Sequence, residues 1–291
     1  MSSQFEIRSY TDTYLLYELS DYATDSKVII CPERGGIVIS CQLRGKELLY
    51  LDRDTFLNPN ANIRGGIPIL FPICGQLVNG KYDWNGHTYQ MKNHGIARTE
   101  AWEVIASSTE EGASLTLSLH SNAETLRAFP FAFGLQFTYR LKDGILTIEQ
   151  QYHNRSSEEM PMVTGFHPYF ATASKDLTYL SDATTMLDYN DQQVKPFNKS
   201  FDLTGLVESV ALLDADRSEI KFPIGDNQLV HLQYSKQFRY VVLWSVEGKP
   251  FVCVEPWTAL NEALNDKAEL IFIAPEQTLE LSLSISLESG V

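Results

Sequence analysis

Hydrophobic and polar residues alternate with a period of two through much of the chain. Near the C-terminus Leu279, Leu281, Leu283, Ile285 and Leu287 fall on one side, with Glu280, Ser282, Ser284, Ser286 and Glu288 on the other. That is the pattern of a strand with one buried and one wet face. The same alternation predicts strands over 114–120, 133–141, 145–154, 229–234, 240–246, 251–254 and 269–273. Lys142-Asp143-Gly144 and Glu247-Gly248-Lys249-Pro250 separate neighbouring runs, as antiparallel hairpins require.

Helical signals are few. Ser121 with Glu124 reads as a capping box opening a short helix to Phe129, and 258–265 predicts a further turn or two. There is no βαβ rhythm, no solenoid repeat and no low-complexity linker. The expected fold is therefore all-β, one large antiparallel β-sandwich over residues 1–291 as a single domain, with a few short helices. Composition agrees: 44% hydrophobic and 21% charged residues suit a globular core. The 14 Tyr and 15 Phe suit sheets, and also sites where flat rings stack on sugars, although core packing accounts for most of them.

Charge narrows the partners. At −14 the chain repels nucleic-acid backbones and anionic lipid, so no nucleic-acid or membrane partner is expected, and an anionic substrate would need a local Arg cluster. Cys31, Cys41, Cys74 and Cys253 form no C-x-x-C pair. No basic-then-apolar leader opens the sequence and no apolar run approaches the ~18 residues of a membrane span. Together these point to a cytoplasmic protein with reduced thiols. No feature specifies an oligomeric state.

Four segments break the alternation: 62–76 (NIRGGIPILFPICGQ), 92–102 (KNHGIARTEAW), 164–170 (TGFHPYF) and 252–257 (VCVEPW). Each sets a charged residue or a His among Gly, Pro and apolar neighbours, the composition of a pocket wall. Glu255 follows a buried run directly, so a strand end would desolvate it and raise its pKa above ~4.3, unless it is a structural carboxylate paired elsewhere. His167, stiffened by Pro168, is either a proton carrier near neutrality or a satisfied core histidine. His94 and Arg98 lie four apart beside Gly95, which permits a bend or close ligand approach. Arg64 precedes Gly65-Gly66, which would leave space beside its guanidinium; either Arg could grip vicinal hydroxyls or phosphate, or lie solvated at the surface. The glycine pair is no phosphate loop, and no G-x-S-x-G is present. His94 and His167 lack close-spaced His or Cys companions, so no catalytic metal is expected.

Taken together, the four segments resemble the aldose 1-epimerase (mutarotase) superfamily, in particular its hexose-6-phosphate mutarotase branch. That branch carries R-G-G-I-P, H-G-F-A-R followed by Trp, H-x-Y-F and V-E-P in this order. Here they stand at 64–68, 94–98 with Trp102, 167–170 and 254–256, spanning about two-thirds of the chain. The resemblance implies a sandwich with a cleft on one sheet, Glu255 as general base and His167 as general acid. It also implies His94, Arg64 and Asn93 as sugar contacts and Arg98 as a second cation near the sugar or its phosphate. The family's mid-chain Asp has no clean match; Glu208 is nearest by spacing, with Asp202 and Asp214 as weaker candidates. Ile96 stands where Phe is commoner.

The implied chemistry is anomer exchange on a small sugar or sugar phosphate. A base takes the anomeric proton, an acid protonates the ring oxygen, and the open aldehyde recloses on its other face. The two groups need opposite protonation states, which their ordinary values of ~4.3 and ~6.5 allow if the pocket raises the His. No cofactor is needed. Two other readings are a non-catalytic carbohydrate-binding protein on the same fold and a glycoside-processing hydrolase or lyase, which would need two carboxylates.

Overall fold

The computed structural model describes residues 4–225 and 227–290. The longest strands are those with the clearest alternation. The four longest belong to a seven-stranded antiparallel sheet in the order Glu219–Pro223, Gln228–Tyr234, Thr278–Ser289, Ile145–Asn154, Phe133–Lys142, Ala113–His120, Glu103–Ser108. At the Asp143-Gly144 turn both residues take positive φ, 54° and 73°, the combination whose twist matches the flanking strands.

Facing it is a mixed-length antiparallel sheet. Its central path runs Thr185–Asp188, Val210–Leu212, Tyr240–Trp244, Phe251–Trp257, Gly165–Phe166, Ile69–Leu70, with Tyr169–Ala171 also on the Phe251–Trp257 strand. Leu117, Phe137, Ile148 and Leu283 of the first sheet share one buried cluster with Val241, Leu243, Val252 and Val254 of the second. Phe137 meets Phe166 across the interface, ring centroids 6.2 Å apart. The architecture is a large antiparallel β-sandwich with few short helices, as the patterning predicts. A five-stranded meander from Phe5 to Glu47 adds Leu19, Val28, Ile30 and Val38 to the same core.

Several local expectations are corrected. The strand expected to end at Val254 continues to Trp257, so Glu255 lies within it, and Pro256 sits opposite Val241. Since Val252 and Val254 face the sandwich core, Cys253, Glu255 and Trp257 face the other way. The capping box belongs to Asn122 and Thr125: the Asn122 side chain accepts from the Glu124 and Thr125 N–H groups, and Thr125 Oγ1 accepts from the Asn122 N–H. Ser121 instead accepts from the Phe133 N–H. The 258–265 segment contributes only a short helix, Ala263–Asp266. Among the described residues no helix is long and apolar enough to cross a membrane.

Candidate active site

Backbone hydrogen bonds stitch the four pattern-breaking segments together. His167 donates its N–H to Pro68 O (3.1 Å) and Tyr169 to Gly66 O (2.9 Å), joining the third segment to the first. His94 donates to Gly75 O (2.7 Å) and Ile96 to Phe71 O (2.8 Å), joining the second to the first. Tyr169 pairs with Cys253 and Gly165 with Trp257, joining the third to the fourth. The glycines serve this stitching. A Cβ on Gly66 would stand 2.3 Å from Val38 O, and one on Gly95 2.2 Å from Phe71 O, both at positive φ. Both serve close backbone approach: Gly95 makes the bend the sequence allows, while Gly66 does not clear space for a guanidinium as expected.

The result is a cleft of about 270 Å³ over the second sheet. Arg64, Asn93, His94, His167, Glu208 and Glu255 all line it, together with Gln76, Val242, Trp244, Trp257 and Asn261. Cross-strand register explains the floor: Val242 lies opposite Glu255 and Trp244 opposite Cys253. A second hollow of about 640 Å³ continues past Gln76, Glu208 and Asn261 toward Tyr189, Glu262 and Glu269. Arg98 is the exception among the expected residues. It borders a separate hollow of about 180 Å³ with Arg34 and Lys92. Its charge nonetheless acts on His94, His167 and Glu255. Asp202 and Asp214 are spent elsewhere, accepting from the backbones of Thr204 and of Thr184 and Thr185. Asn190 accepts from the Glu208 N–H (2.9 Å) and donates to its carbonyl (3.0 Å), fixing the backbone behind that carboxylate.

At the centre His167 Nδ1 lies 3.4 Å from Glu255 Oε1, both side chains almost wholly buried. The imidazole stacks on Tyr169 (centroids 4.7 Å, 7°) and meets Trp244 and His94 edge-on. Trp257 Nε1 donates to Glu255 Oε2 (3.1 Å). Burial pushes Glu255 well above the usual carboxylate range, against the pull of the Trp257 N–H and the Arg98 charge. Burial, with His94, Arg98 and Arg64, pushes His167 well below its ordinary value. The expectation that the pocket raises this histidine is therefore reversed. Burial thus favours the uncharged form of each group, and the two stand close together on the cleft floor. His94 falls to about 3, by burial first and then Arg98 and Arg64. Its Nδ1 accepts from the Gly75 N–H (3.0 Å), so the neutral ring carries its proton on Nε2 and is a donor only. Arg64 rests over Trp244, 5.1 Å from the ring centroid.

The aldose 1-epimerase family model matches residues 23–285. The chain belongs to the aldose 1-epimerase family. Among solved structures, the Slr1438 protein of Synechocystis sp. PCC 6803 is 35% identical, with a TM-score of 0.92, covering 96% of this chain and 97% of that one. LacX (chromosomal) of Lactococcus lactis subsp. lactis is 29% identical over 263 residues, 77% of this chain and 85% of LacX. A Cenchrus ciliaris protein provisionally named glucose-6-phosphate 1-epimerase is 25% identical over 234 residues, 76% of this chain and 64% of the relative.

Sequence reasoning missed part of this aldose 1-epimerase cleft. Trp244, Trp257, Gln76 and Asn261 reach it by cross-strand pairing or loop packing. Only Trp257 left a signal, lying two residues after Glu255 on one strand face.

Proposed function

We propose that this aldose 1-epimerase interconverts the α and β anomers of an aldose or aldose phosphate by general acid–base ring opening. The observation that carries this reading is the 3.4 Å approach of His167 Nδ1 and Glu255 Oε1 on the floor of one cleft. The anomeric hydroxyl and the ring oxygen hang on the same carbon, so the groups that serve them must stand side by side. Glu255 acts as the base on the anomeric hydroxyl and His167 as the acid toward the ring oxygen. After rotation about C1–C2 the roles reverse and the ring closes on its other face. The Trp257 N–H and the Arg98 charge favour the carboxylate form of Glu255, the form the base must take.

Arg64, Asn93, His94 and Glu208 bind the sugar hydroxyls, with His94 donating from Nε2, while Arg98 acts through its field. Arg64 has no ion-pair partner among the described residues, which favours a phosphorylated aldose, as does the name of the Cenchrus ciliaris relative. A sugar-binding protein without catalysis would have no use for a buried imidazole and carboxylate side by side on the cleft floor.

Exchange NMR on α- and β-glucose 6-phosphate, galactose and glucose tests the proposal. At least one sugar should interconvert at rates proportional to enzyme concentration, well above the buffer rate. Saturable binding with no acceleration for any aldose would reject it.

A further inference from the structure

Cys253 takes no part in the chemistry proposed above and is wholly buried, yet its sulfur lies close to the acid–base pair. One donor atom each from His167, Cys253 and Glu255 lies within 4.8 Å of the other two, and all three residues are buried. The arrangement follows from the sheet. Cys253 and Glu255 are two apart on one strand and share a face. Tyr169 pairs with Cys253, and His167, two residues before Tyr169, shares its side.

A second observation points to a ligand. His167, 5% exposed, has a buried Nδ1 with no hydrogen-bond partner, although Glu255 Oε1 is 3.4 Å away. Buried polar atoms are rarely left so. Around tetrahedral Zn²⁺, nitrogen and oxygen ligands at about 2.0–2.2 Å stand about 3.4 Å apart, and sulfur and nitrogen about 3.6 Å. The Nδ1–Oε1 separation already matches one edge, and the thiol needs a shift of about 1 Å at most to complete the other two.

We propose that Cys253, His167 and Glu255 form a binding site for Zn²⁺ whose occupation switches off anomer exchange. Thiolate, imidazole and carboxylate suit a borderline-soft ion and disfavour Mg²⁺ or Ca²⁺. The thiolate and carboxylate neutralise the ion, so no net charge is added beneath Arg64 and Arg98. His167 and Glu255 line the cleft, which is therefore the path of entry, and a bound sugar blocks it. Coordination occupies the lone pairs that carry protons during exchange, so metal and catalysis exclude each other. Only this inhibitory consequence rests on the function proposed above.

Metal-free protein titrated with CoCl₂ reads the site directly. One equivalent should give tetrahedral visible absorption and a near-ultraviolet thiolate-to-cobalt band. ZnCl₂ should displace the cobalt and abolish exchange. Cys253→Ser, with Cys253→Ala as a second variant, should keep exchange within about twofold, lose the near-ultraviolet band and weaken Zn²⁺ inhibition at least tenfold. The sugar turned over in the exchange assay should slow cobalt uptake, a readout that needs no variant. A wild type without the near-ultraviolet band, or Zn²⁺ inhibition of both variants as strong as that of the wild type, would overturn the proposal. Exchange untouched by bound Zn²⁺ would remove the inhibitory role alone. Metal binding to a protein that exchanges no sugar would remove the proposed function and leave the site standing.

Discussion

Trp257 and Glu255 lie two apart on one strand, and among the described residues the indole N–H makes the one hydrogen bond to the carboxylate. Trp257→Phe keeps the ring and removes the donor. A hydrogen bond to a charged group is worth about 1.5–3 kcal/mol, so kcat should fall roughly 10–100-fold, read by exchange NMR with protein of unchanged melting temperature within a few degrees. Burial also makes Glu255 a cost to the fold. Its pKa is raised on folding, so its stabilising contribution is complete below the unfolded value near 4.5 and is lost as pH rises toward the folded value. Glutamine does not titrate. Glu255→Gln should therefore raise the melting temperature by a few degrees, more at pH 8 than at pH 5, by calorimetry. His94 and His167 carry the opposite sign: their lowered values give stability that is present above pH ~6.5 and lost as pH falls below it. At this scale the sequence is legible where chemistry stands out from its company: Glu255, His167, His94 and Arg64 are conspicuous among Gly, Pro and apolar neighbours. Trp244 is not, because its role depends on being opposite Cys253 in a register that no local pattern encodes.

The long hairpin strands are legible for a plain reason. One face packs on the core and one is wet, so alternation survives over 7 to 12 residues, as in Gln228–Tyr234 and Thr278–Ser289. The sheet that carries the site is harder to read. Its strands at Ile69–Leu70 and Gly165–Phe166 are two residues long and buried on both faces, too short for any period. The Phe251–Trp257 strand is buried throughout, and Pro256 hides its continuation past Val254. The meander from Phe5 to Glu47 went unpredicted because strands such as Leu15–Asp21 bury residues on both sides. Glycines mark where these short elements touch. Gly95→Ala would drive a methyl into Phe71 O at positive φ and displace His94 with it. Urea denaturation should show a loss above about 1 kcal/mol, and exchange activity should fall in the surviving folded protein.

For the whole molecule, the net charge of −14 sets the far field and Arg64 the near field. A sugar 6-phosphate approaches against the far field, and salt screens this repulsion over a Debye length of ~10 Å at 0.1 M. The exchange kcat/KM for a hexose 6-phosphate should therefore rise severalfold between about 10 and 150 mM NaCl, while that for a neutral hexose stays flat. Charge was fully legible in composition. Its local inversion at Arg64 was not, since it depends on how 62–76 folds over Trp244.

The account stands on His167 and Glu255 working as one acid–base unit. A double-mutant cycle of His167→Ala, Glu255→Gln and the combined variant, read as anomer-exchange kcat at pH 7, addresses that directly. Each single change should cost about as much as both together, at least ~10³-fold, in protein that remains folded. Losses that multiply, or a single variant retaining near-normal exchange, would contradict it.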